Sequence, residues 1–327
     1  MKFYSAIMLG LSLILTVGCT KDDDPTGTGD PVYDQTVVKN ASEFIRYKYF
    51  FIENSFKDNM ATPENYQRIL DHQTLYSAPY KIKNYSFELY VTRLEIGSQS
   101  QADIYIDYTR PPTDSISGYQ NLYKSDLYVK LIDPALYEIN YDLGYIRLKS
   151  FYMQQGDIIA AKYIKQNQLD PEDITEIGSV DSTGTKLELQ MLGEYDLSWQ
   201  SPCSSLEWKN VYSLGFTNIK RENFKLTVQK EAGSSLQTEE YDNMNVLKPY
   251  LYWYQVNKID AYDEVDLGFL YSGNGEFLFP NQTPFMPDQN SIIYIEGKAD
   301  SLFTDPKIYT DPFYLSKFKL KFEFFVD

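Results

Sequence analysis

Between Leu127 and Ile164 the chain alternates apolar and polar residues in short runs cut by turn formers, and this pattern constrains the fold more than any other. Leu127, Val129 and Leu131 recur at every second position, the period of a strand with one buried face. An extended passage, Tyr137–Tyr141, follows, and Asp142-Leu143-Gly144 turns the chain into Tyr145–Leu148. The polar break Gln154–Asp157 returns it into Ile158–Tyr163. Gly144 and Gly156 supply the positive φ that tight reversals need. The pattern predicts a β-meander.

The same period of two marks Phe87–Ile96 and Asp103–Tyr108, and Lys186–Leu192, Phe224–Val228, Leu251–Val256, Glu276–Phe279 and Ile292–Ile295 also read as strands. At the end of the chain Phe318, Leu320, Phe322 and Phe324 alternate with charged residues, which predicts one half-buried strand. With 30 Tyr and 19 Phe, cross-strand aromatic pairs are the expected glue. Helical patterns are few. Ala41–Phe56 reads as a short helix or a strand–helix junction, Glu64–Leu75 as a helix capped by Thr62, and Glu207–Leu214 as a helix closed by Gly215. The expected fold is mainly β, with β-sandwich-like modules and a few short helices. Two tandem β-rich modules, 41–165 and 186–327, are expected on either side of a polar, turn-rich linker at 166–185.

The first residues point to a location. Lys2 precedes an apolar run, Ala6–Val17, that is too short for a comfortable membrane span and ends in Val17-Gly18 before Cys19. This is the arrangement of a bacterial lipoprotein signal peptide over 1–18, with Cys19 as the acylated new N-terminus; Thr16 stands where Leu is usual. The acidic tether 19–40, with Lys21 ahead of Asp22–Asp24, cannot bury a core and is expected to be disordered. The expected location is the outer membrane, lipid-anchored and facing the cell surface. A net charge of −16 makes nucleic acid a poor partner. Cys19 and Cys203 are the only cysteines, so acylation of the first leaves the second without a disulfide partner.

Candidate chemistry is sparse. A single histidine, His72, argues against His-rich metal sites and Ser-His-Asp hydrolysis. Cys203 has no neighbouring base or cation to activate it. Asp260, Asp263 and Asp266 precede Gly268, but their spacing departs from a calcium-binding EF-hand loop, and a solvated acidic loop is the reading. No paired carboxylates, phosphate loop or nucleophile elbow appear, so neither catalytic residue, metal nor cofactor is expected. The binding candidates are Tyr252, Trp253 and Tyr254. As a strand, this stretch sets Tyr250, Tyr252 and Tyr254 on one face and Trp253 on the other, suited to stacking on sugar rings or anchoring a protein, or to packing in a core.

Leu143-Gly-Tyr-Ile-Arg-Leu148, Asp157 and Ala160-Ala-Lys-Tyr163 resemble an arrangement recurrent in the SprA/Sov family, the outer-membrane translocon of type IX secretion and gliding in Bacteroidota. Phe87–Thr92, Trp208–Gly215, and Asn274–Pro280 followed by Pro284-Phe285 resemble further passages of that family in the same order. The translocons are many times longer and close a very large barrel, so the resemblance implies one soluble module held by lipid, without a pore. It implies a non-enzymatic lipoprotein acting through protein–protein contacts in the envelope. The alternative is a surface glycan-binding lipoprotein of a polysaccharide-utilisation system.

Overall fold

A strand paired along both edges organises the structure. In the computed structural model, which describes residues 32–41, 43–60, 80–93, 97–182, 184–195, 202–208, 211–241, 245–253, 264–265, 270–271, 273, 275–278 and 318–327, that strand is β11 (Ile158–Asn167). Its first half runs antiparallel to β4 (Glu88–Val91) on one side and to β14 (Leu187–Glu194) on the other. From β4 the pairing passes to β8 (Leu122–Leu131), then to β5 (Gln99–Tyr105), and from β5 back to β14. The pairings therefore close into a ring of five strands, β11–β4–β8–β5–β14. Antiparallel neighbours alternate in direction, so a ring with an odd number of strands must contain a parallel pair. That pair is β5 with β14, Ala102–Tyr105 beside Leu187–Gln190.

Side chains from all five strands meet in one buried cluster: Tyr90, Ala102, Ile104, Tyr128, Ile158, Ala160, Leu189 and Met191. They alternate along the strands with Leu89, Val91, Ile159, Ala161 and Leu192, which belong to a different cluster, so the first set is the ring's interior. The alanines suit so narrow a barrel. Bulges at Leu192, opposite Ile159/Ala160, and at Tyr123, opposite Ile104/Tyr105, add the curvature that closure requires.

The outer face of the ring is covered by β2 (Tyr49–Phe51), β10 (Tyr145–Leu148) and β9 (Tyr137–Asn140), in that order. The largest cluster lies between the layers, with Trp208 stacked on Phe51 at 4.8 Å and edge-on to Tyr145 at 5.2 Å. Gly193 permits this approach, because a Cβ there would overlap the Phe50 ring. Gly144, at φ 63°, turns β9 into β10 and leaves room for Phe56 of α1 (Asn54–Met60). The expected meander is thus corrected. The β9–β10 hairpin forms as read, but Asp133-Pro134 takes the chain out of β8's sheet, and β4 separates β8 from β11.

A second core joins the two ends of the described chain. β1 (Gln35–Asn40) pairs with β22 (Phe318–Phe324), which continues to β16 (Lys225–Ala232) and β17 (Ser235–Gln237). Phe318, Leu320, Phe322 and Phe324 point into this core as expected, opposite Tyr212 of β15 (Val211–Ser213), Phe277 of β21 (Glu276–Leu278) and Leu270 of β20 (Leu270–Tyr271). Small hairpins, β6 (Ser115–Ile116) with β7 (Tyr119–Gln120) and β18 (Glu239–Tyr241) with β19 (Leu247–Pro249), complete the β structure with β3 (Tyr80–Ile82), β12 (Ile174–Ile177) and β13 (Ser179–Val180). The fold is mostly β, with two short α-helices among the described residues.

Four further expectations meet a different structure. The stretch 166–185 does not lie between two sheets: β12 and β13 form within it, and β14 beyond it completes the same ring as β4. The described residues from Tyr33 to Asp327 form one compact unit. The tether expected to be disordered over 19–40 is corrected at its end, where Gln35–Asn40 form β1 in the sheet of the C-terminal β22, because the ladder to β22 satisfies their backbone groups. Among the described residues of Glu207–Leu214 the expected helix is not found; Val211–Ser213 pairs with β21, because burial of Val211 and Tyr212 favours the ladder over weak helix propensity. Conversely Tyr250–Trp253, expected as part of a strand, is a helical turn, α2, directly after Pro249. Residues 1–31 with Cys19, the helix Glu64–Leu75, Asp260–Asp263 with Asp266–Gly268, and Ile292–Ile295 lie outside the described residues.

Inside the ring the hydroxyl of Tyr128 is buried with no hydrogen-bond partner among the described residues. A stranded hydroxyl costs about 1–3 kcal/mol. Tyr128→Phe should therefore raise the unfolding free energy by about 1 kcal/mol in urea titrations, with the m-value unchanged.

Candidate functional site

Where β5 leaves the ring, two buried amides fix the chain. Asn121, fully buried, accepts from Asp107 N at 2.8 Å and donates Nδ2 to the carbonyls of Asp107 (2.9 Å), Arg110 (2.9 Å) and Pro111 (3.1 Å). Gln190 of β14 accepts from Tyr108 N at 2.8 Å and donates to Ile106 O at 2.5 Å. Both amides bond the backbone of 106–111, Gln190 donating also to Met191 O at 3.1 Å, which makes this loop a built feature rather than a slack connection.

The loop forms one wall of a cavity of about 340 Å³. Opposite stand Glu53–Ser55 at the start of α1, Lys165 of β11 closes a side, and a 3₁₀ turn, Pro202–Ser205, contributes Cys203. The floor is apolar: Ile52, Ile106, Ile177 and Leu206 are all buried. The rim is polar. Glu53 accepts from Tyr163 Oη at 2.6 Å, Lys165 Nζ at 3.1 Å and Ser55 Oγ at 3.0 Å, so its charge is matched and both its oxygens are engaged. Burial, reinforced by Glu53, holds the Tyr163 phenol well above its ordinary range, and it serves as a donor only. Asp107 Oδ1 accepts from Thr109 N (3.0 Å) and Thr109 Oγ1 (2.6 Å), an Asx turn that holds the carboxylate on its loop. Asp107 Oδ2 has no hydrogen-bond partner among the described residues.

The residues singled out from sequence lie elsewhere. Cys19 and Tyr254 are outside the described residues, as is the Trp253 side chain. Tyr252 is half-buried against the second core with Lys248 Nζ 4.1 Å above its ring, while Tyr250 is fully buried. In α2, Tyr250 and Tyr252 do not share one face as they would in a strand. Sequence reasoning singled out none of Glu53, Asp107, Asn121, Lys165 or Gln190. Gln190 alone carries a usable signal, as an amide inside the apolar run Leu187–Leu192.

A second polar cluster is structural in kind. Glu276 of β21, 3% exposed, accepts from Tyr49 Oη (2.5 Å), Lys48 Nζ and Arg147 Nε (3.3 Å). It bolts the layer over the ring to the second core. No group of three or more His, Cys, Asp or Glu able to hold a metal ion occurs among the described residues, and none of their helices is long and apolar enough to cross a membrane. Compared with known proteins, the chain matches no family model and no curated protein.

Burial, with Glu194 adding to it, pushes the Cys203 thiol up to about 12. A group with so high a pKa stays protonated at pH 8, and the thiolate is the reactive form. Iodoacetamide at pH 8 should leave Cys203 unmodified in the folded protein and alkylate it in urea, as read by intact and peptide mass.

Proposed function

We propose that this chain is a non-enzymatic, lipid-anchored protein of the outer membrane that works through protein–protein contact beside a type IX secretion or gliding translocon. The anchor rests on Lys2, the short apolar run and Cys19. The kinship rests on one observation about where the resembling passages lie. Leu143–Leu148 supplies β10, whose Tyr145 packs on Trp208 at 5.2 Å. Trp208–Gly215 supplies β15, and Val211 of that strand pairs with Leu278 in the passage Asn274–Pro280. Glu276 of that passage reaches back to Arg147 of β10. Phe87–Thr92 supplies β4, which pairs with Ile159–Lys162. Segments far apart in sequence are thus neighbours around one core, the arrangement expected if they belong together as parts of a single module.

The reading predicts two results in the native host. Cys19→Ala should move the protein from the membrane to the soluble fraction. Cross-linking in intact cells, then capture of the tagged wild type in mild detergent, should recover a translocon or secretion component, and capture through that component should recover this chain. Reciprocal captures without any such component contradict the reading.

A further inference from the structure

We propose that the cavity beside Asp107 is a binding site for an aliphatic cation, a lysine or arginine side chain or an alkylamine of the same shape. The site requires neither the lipid anchor nor the translocon.

Charge decides the class of ligand. The cavity holds two carboxylates and one cation. Glu53 and Lys165 neutralise each other at 3.1 Å, and Glu53 also accepts from Tyr163 and Ser55. The remaining negative charge sits on Asp107, which forms no ion pair among the described residues and whose Oδ2 is unengaged. An anionic ligand would face Asp107 with no surplus cation to offset it. A metal ion would find Asp107 and a Glu53 carboxylate already engaged by three donors, too few oxygens for the oxygen-rich shell a hard cation takes. A ligand with a positive head gives Oδ2 a charge-assisted hydrogen bond.

The floor decides the rest of the ligand. Ile52, Ile106, Ile177 and Leu206 line it, while the polar groups stand at the rim. A hydrocarbon stem lying on those residues removes apolar surface from water while its charged head stays at the rim, the disposition that lysine and arginine side chains adopt. A cavity of about 340 Å³ has room for one such side chain. Asn121 and Gln190 hold the Asp107 loop in place, so the carboxylate is preorganised and binding need not order it. The −16 net charge favours the approach of a basic partner.

Ile52, Ile106, Ile116 and Ile177 all line the cavity, so the full chain labelled at isoleucine methyls reports binding by NMR. The probes are n-butylammonium, the tripeptide acetyl-Gly-Lys-Gly-amide, n-butanol and butyrate. Saturable shifts at these methyls with the two cations are expected, with much weaker or no response to the alcohol and the acid. Asp107→Asn should weaken the cations about tenfold. Asparagine keeps the acceptor that receives Thr109 N and Oγ1, so the melting temperature should not move. Raising salt from about 0.05 M to about 0.5 M should weaken the cations in the wild type and much less in the variant. Tighter binding of the tripeptide than of butylammonium identifies a polypeptide side chain as the occupant, and equal binding identifies a free amine. The proposal is overturned if the methyls do not respond to the cations, if butanol binds as well as butylammonium, or if both Asp107→Asn and salt leave cation binding unchanged.

Discussion

Everything in the ring depends on β11 being paired along both edges through Ile158–Ala161. A strand at an edge exposes a row of unpaired amides and carbonyls; a strand closed into a ring exposes none. Closure here joins Gln190–Glu194 to Ile158–Ala161, and the odd strand count then obliges β14 to run parallel beside β5. Parallel neighbours need a long connection. This chain supplies it by routing β6–β7, β8, the β9–β10 hairpin and β11 between β5 and β14.

That routing explains the other two layers. The β9–β10 hairpin leaves the ring and returns across its outer face, where β2 pairs with it. The segment 43–52 reaches this position straight from β1, which is held in the second core by β22. Glu276 stands at the junction, with Tyr49 and Lys48 on the β2 side and Arg147 on β10. A carboxylate so deeply buried is tolerated because two cations and a phenol satisfy it. Removing the carboxylate would leave the two cations of the β2–β10 layer beside each other without their shared counter-charge. The cavity owes its form to the same construction. One wall is the loop leaving β5, another is β11, and α1 follows directly from β2.

Local pattern sufficed where one face of a strand is wet. Phe318, Leu320, Phe322 and Phe324 alternate with half-buried charged residues, and β22 forms as read. The β9–β10 hairpin was legible for a different reason, since Gly144 takes the positive φ its turn requires. Partnership between strands was not legible. Nothing in Ala102–Tyr105 or Leu187–Gln190 announces a parallel pairing across more than eighty intervening residues, and so the polar stretch 166–185 reads as a boundary. Short aromatic runs misled in both directions. Burial against β21 made a strand of Val211–Ser213, and α2 forms at Tyr250–Trp253 in a run whose aromatic content favours strands. The cavity was hidden more deeply. Asp107 and Lys165 look like ordinary surface charges in sequence, and they acquire a role only when the ring brings residues from β5, β11 and α1 together.

The ring is the claim on which the layers and the cavity rest, and native-state hydrogen exchange tests it directly. Amides in a closed ring should open together, because releasing β14 also frees β5 and one edge of β11. The account predicts that Ile158–Ala161, Ala102–Tyr105 and Leu187–Glu194 exchange slowly and with a common free energy near that of global unfolding. Exchange of Leu187–Glu194 orders of magnitude faster than that of Ile158–Ala161 would contradict closure, leaving an open sheet in place of the ring.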